Sequence, residues 1–143
     1  VRYLNKRELI HEVNSRGYPL TEGALRIYSG SKYRLILLSR KAKSGTSNQY
    51  SNEHVDQICE IIAANRIGVR LSEMNEYLAS YNKQQYLISR ILANKNSVQQ
   101  ESLFWSSLFQ LTKEIETGLH PESNATELYL KLIQYQSLKE MHK

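Results

Sequence analysis

Six cations stand in the thirty residues from Gly23 to Asn52, namely Arg26, Lys32, Arg34, Arg40, Lys41 and Lys43, and no Asp or Glu stands among them. Guanidinium and ammonium groups gathered without carboxylates hold phosphates by charge and release the counterions condensed on them. The chemistry open to this stretch is therefore non-covalent contact with a polyanion, most often nucleic acid. The rest of the chain sharpens the contrast. Residues 1–45 hold ten Lys or Arg against three acids, +7, and residues 46–143 hold nine against eleven, −2, which together give the net +5. Such an asymmetry assigns the polyanion to the N-terminal third. A solvated loop beside an ordinary helix is the plainer reading of the same charges.

The elements that must position these cations can be read from caps and periodicity. Asn5 followed three residues later by Glu8 forms a capping box, and Leu4 and Leu9 fall where a hydrophobic staple closes. A first helix starts there, turns Leu9, Ile10 and Val13 inward, and stops at Gly17. Pro19 biases Tyr18 away from helix. Thr21 then caps a second short helix in which Ala24, Leu25 and Tyr28 share one face, with Gly30 as its stop. Two short helices joined by a tight turn make a helix-turn-helix, the second helix being the reader. Tyr33 to Ser39 has the composition of a half-buried strand, Lys41 to Asn48 that of a flexible tip, and Gln49 to Ser51 the return. Together these predict a small β wing. Ser51 caps a third helix to about Arg66, with Val55, Ile58, Cys59 and Ile62 as its apolar stripe. Gly68 ends it, and a fourth helix capped by Ser72 carries Met74, Tyr77 and Leu78.

In this order the pieces resemble the MerR superfamily of winged-helix transcription regulators. Tyr3 to Ile10 is similar to that family's opening helix, and Thr21 to Tyr28 to its recognition helix. Gln49 to Ser51 with Glu53 and Val55 is similar to the junction into its third helix, and Arg66 to Leu78 to the segment introducing its fourth. Ile27 stands where the family commonly has Tyr, and its Gly-Leu-Leu-Pro turn is missing between Tyr33 and Ser39. The resemblance covers residues 3–80. It implies a winged helix-turn-helix over residues 1–80 that contacts double-stranded DNA through Thr21, Arg26, Tyr28, Lys32, Arg34, Arg40, Lys41 and Lys43. Five of these have structural rivals: an ion pair with Glu22 for Arg26, a core position for Tyr28, and a merely solvated loop for Arg40, Lys41 and Lys43. The resemblance further implies a homodimer, formed by a helix after residue 81 that pairs with its twin.

Residues 81–143 are expected to be a helical region for dimerisation and a candidate effector-binding region. Tyr81, Ile88, Ile91 and Leu92 give a helix with apolar residues on more than one side, interrupted after Asn94. Leu103, Phe104, Trp105, Leu108, Leu111 and Ile115 make a second stripe, and Asn124 with Glu127 caps a last helix from Leu128 to Leu138. Tyr81, Ile88, Ile91, Leu92 and Trp105 are the dimer candidates. The stretch from Trp105 to Tyr135 is faintly similar to the drug-binding domain of TipA-type regulators, although a plain helical hairpin that packs against the dimer helix is the favoured reading. The fold class is thus mainly α, a winged helix-turn-helix with a small β wing plus a C-terminal helical region.

Other chemistry lacks its residues. Cys59 is the single cysteine, which excludes an internal disulfide and a Cys-pair metal site and fits a core thiol in a reducing compartment. His11, His54, His120 and His142 show no pair at metal-ligand spacing. No phosphate-binding Gly loop and no nucleophile elbow occur. The expectation is a non-enzyme without cofactor or metal, cytoplasmic, with no membrane span, that binds DNA as a dimer and takes at most a small-molecule effector. The rival functions are an architectural or segregation protein with a similar head, and a protein-interaction module that uses the C-terminal helices.

Overall fold

The computed structural model describes residues 3–36, 50–94, 103–117 and 124–141. Among them are seven α-helices: α1 (Lys6–Ser15), α2 (Glu22–Ser29), α3 (Asn52–Arg66), α4 (Met74–Ala79), α5 (Lys83–Asn94), α6 (Leu103–Glu116) and α7 (Ala125–Met141). A single 3-10 turn, Leu71–Glu73, precedes α4. The protein is mainly helical, and none of these helices is long and apolar enough to cross a membrane. It divides into two compact units, residues 1–62 and 63–143, the division falling inside α3.

In the first unit α1 begins with the capping box read from the sequence. Glu8 N donates to Asn5 Oδ1 at 2.8 Å, and Asn5 N donates to Glu8 Oε1 at 3.0 Å. The helix ends in a Schellman motif: Gly17 N donates to Asn14 O at 3.0 Å and Tyr18 N to Val13 O at 3.3 Å, with Gly17 at φ 94°. The turn into α2 is clamped by Asn14, whose Oδ1 accepts from Leu20 N at 2.8 Å while its Nδ2 donates to Leu20 O at 3.4 Å. Leu9, Val13, Tyr18, Leu20, Leu25 and Tyr28 are buried, so the turn lies over a core shared by both helices. Each fully buried Leu or Ile contributes roughly 1.5–3 kcal/mol to that core. Arg16 braces α1 against α3 through Asp56 at 2.5 Å, a contact that also raises the guanidinium pKa.

The structure corrects the expectation of a wing strand. Among the described residues there is no strand, only an isolated antiparallel bridge between Leu4 and Tyr50. Tyr33–Ile36, the described half of the expected strand, is a turn. Arg34 takes φ 49°, its N–H bonds to Gly30 O at 2.9 Å, and Leu35 and Ile36 N–H both return to Tyr28 O at 2.9 and 3.2 Å. Leu35 and Ile36 are buried as core residues, and Gln57 Nε2 donates to Leu35 O at 2.7 Å. The backbone groups a strand would have offered to a neighbour are thus already satisfied locally. The rest of the expected wing, from Leu37 to Gln49, lies outside the described residues.

Ser51 precedes α3 as foreseen, with a partner that was not: His54 Nδ1 accepts from Ser51 N at 3.0 Å and so takes the place of the acid in a capping box. Cys59 is buried in this helix, and burial pushes its thiol pKa up.

In the second unit α3 also ends in a Schellman motif. Gly68, at φ 113°, donates to Asn65 O at 3.3 Å, and Val69 N donates to Ala64 O at 2.9 Å. Ser72 does not cap a helix, because it lies inside the 3-10 turn. Helix α6 packs on α7, α5 packs on both, and α4 packs on α5. Glu73 gathers Arg90 at 2.6 Å and the Tyr86 hydroxyl at 3.4 Å. The buried Tyr77 oxygen accepts from Ala125 N at 3.2 Å, which satisfies one of the orphan donors at the start of α7.

Candidate nucleic-acid interface

The site centres on α2, because that helix buries one face and leaves the other bare. Its start is fixed by Thr21, whose hydroxyl accepts from Ala24 N at 3.1 Å and still has a proton to donate. Leu25 and Tyr28 hold the helix to the core. Glu22, Gly23, Arg26 and Ile27 are exposed, Ile27 at 49%. Glu22 and Arg26, four residues apart, form no ion pair with each other, so the rival reading of Arg26 is not realised. Beyond Gly30, Lys32 and Arg34 are exposed in the turn, with the Lys32 ammonium 5.2 Å from the Tyr33 ring centroid.

Tyr28, another member of the expected set, anchors α2 with its ring in the core, and that burial raises its phenol pKa. Arg40, Lys41 and Lys43 lie outside the described residues. Two exposed cations that the charge run did not include are Lys6 and Arg7 in the first turn of α1. The signal was the cation excess of residues 1–45, which counts both of them. Thr21, Arg26, Lys32 and Arg34 therefore follow one another along α2 and its exit turn, with hydrogen-bond donors and no competing carboxylate after Glu22. Such a surface can hold phosphate oxygens by charge-assisted hydrogen bonds and can offer an aliphatic side chain, Ile27, to a base edge.

The dimer candidates separate in the same way. Ile88 and Ile91 are buried within the chain's own second unit and have no surface left for a twin, which corrects their assignment. Trp105 is half-buried, its ring edge facing Gly68. Tyr81 and Leu92 are exposed. Among the described residues no group of His, Cys, Asp or Glu is arranged to hold a metal ion. No family model matches the chain, and no curated protein and no solved structure matches it.

Proposed function

We propose that the protein is a DNA-binding transcription regulator whose head, residues 1–80, reads duplex DNA in the manner of the MerR superfamily. Helix α2 is the recognition helix, with Arg26 and Ile27 toward the bases and Thr21, Lys32 and Arg34 on the phosphates. Arg40, Lys41 and Lys43 add three cations of the same run to the phosphate contacts, and a dimer places two such helices on a pseudo-palindromic site. The observation that supports this reading best is the bare outer face of α2, held rigidly by Thr21 and the Asn14 clamp, with Arg26 unpaired by Glu22.

The test is duplex binding measured against salt. Wild-type protein should bind duplex DNA at low salt. Replacing Arg40, Lys41 and Lys43 together by Ala should weaken binding to every sequence and flatten the logarithmic salt slope by roughly 2–3. Arg26→Ala should cost about 1–3 kcal/mol at the selected site and less elsewhere. Absence of any mobility shift at low salt would remove the reading and favour a protein-interaction module. Footprints spread over many clustered sites would turn it into an architectural role.

A further inference from the structure

The bare face of α2 carries a glycine near its middle. At 3.6 residues per turn, Glu22, Arg26, Gly23 and Ile27 stand at roughly 0°, 40°, 100° and 140° around the helix axis, so Gly23 and Arg26 flank the midline of the exposed arc. Gly23 does not have a positive φ. A Cβ added to it would meet, among the described residues, only the Thr21 hydroxyl oxygen at 3.9 Å, an ordinary contact. Alanine suits a helix better than glycine, so the described residues give no reason for the missing side chain. The close approach of a ligand is such a reason. Beside Gly23 stands Glu22, exposed, whose carboxylate makes no ion pair or hydrogen bond among the described residues.

The charges of this surface select its occupant. Arg26, Lys32 and Arg34 are exposed along α2 and its exit turn and fit a polyanion. A carboxylate in the same face weakens that fit unless the polyanion offers it a donor. In the major groove of a duplex the donors are the amino groups of cytosine and adenine, and a carboxylate, which only accepts, pairs with cytosine N4. We infer that α2 comes closest to the groove floor at Gly23, and that Glu22 there accepts a hydrogen bond from the amino group of a cytosine, which makes Glu22 a specificity-determining residue. The inference rests on the proposed function: it takes duplex DNA as the occupant and names a base that α2 selects. Arg26, one turn further along the same line, falls on neighbouring bases, where guanine N7 and O6 suit a guanidinium. The plainer role of Glu22, complementing the helix dipole from the first turn, leaves base preference untouched.

Selection of duplexes from a random pool by the full chain is expected to return one position held to cytosine. Glu22→Gln should turn that position to adenine, whose N6 and N7 suit an amide, and Glu22→Ala should leave it open, both with unchanged helical circular dichroism. At the selected site Glu22→Ala should lose affinity roughly 10- to 100-fold, while an unselected duplex is bound at least as tightly as by wild type, because a negative charge has left the interface. Gly23→Ala should raise the melting temperature of the free chain by about 2–3 °C and still weaken the selected duplex roughly tenfold or more. The same selected sequence from wild type and both Glu22 variants overturns the inference and leaves the regulator standing, as does a Glu22→Ala that tightens every duplex alike or a Gly23→Ala that binds as wild type does. A wild type that retains all sequences equally also overturns it, in favour of an architectural role. A wild type that retains no duplex at low salt removes the inference and the regulator together.

Discussion

Tyr28 and Tyr50 show what burial of the ring does to a phenol. Both pKa values are raised above the ordinary 10.0 by desolvation, because the phenolate is less well solvated where these rings sit. The folded head keeps those protons at a pH where the unfolded chain has lost them. The stability they contribute is therefore complete below about pH 10 and falls as pH rises from there through the folded-state values. The Cys59 thiol, raised from 9.0, adds the same sign from about pH 9. Tyr28→Phe and Tyr50→Phe should each flatten the alkaline fall of the melting temperature between about pH 9 and 11; an identical pH profile would show that neither phenol is linked to folding. At this scale the sequence left Tyr28 undecided, since an aromatic ring on a helix face serves a core and a phosphate equally well until its neighbours are known.

Two glycines end helices by the same motif and make different demands. Gly17 and Gly68 both sit at positive φ, 94° and 113°, where an added Cβ is strained. At Gly17 a Cβ would meet nothing within 4 Å, whereas at Gly68 it would run into the Asn94 side-chain amide with the Trp105 ring beyond. Gly17→Ala should cost about 1 kcal/mol from backbone strain alone, and Gly68→Ala about 2–3 kcal/mol, read from denaturant midpoints. Pairing Gly68→Ala with Asn94→Ala should recover only the steric part. Equal costs at the two sites would mean that Asn94 yields freely. Both stops were legible in the sequence, as were the caps at Asn5, Thr21 and Asn124, because these signals are local and carry their mechanism with them. The strand expected from Tyr33 was not, because its composition suits either a strand or a buried turn. The left-handed Arg34 that decides the matter is a residue type that seldom announces such a conformation. Likewise the α5 stripe was visible, but which of its faces the chain itself would cover depends on α6 and α7, far along the sequence.

The chain as a whole is two compact units that meet within one continuous helix, and its charge is divided with them: ten Lys or Arg against six acids in residues 1–62, +4, and nine against eight in residues 63–143, +1. No exposed hinge of Gly, Ser or Pro separates them at the division, so a fragment carrying the first unit should be cut after Val69 and not at Ile62, where it would lose the motif that closes α3. The lone thiol in that helix also lends the protein an internal stopwatch. Cys59 sits 3% exposed, with burial disfavouring its thiolate, so an aromatic disulfide reagent has no purchase on it while the head stays shut. Under conditions where reclosure outpaces attack, the labelling half-time should lengthen in step with any ligand that binds the shut head, and saturating duplex DNA should lengthen it in proportion to occupancy. A colour change in a cuvette would thereby report which molecules this head prefers, with no dye, tag or engineered residue added.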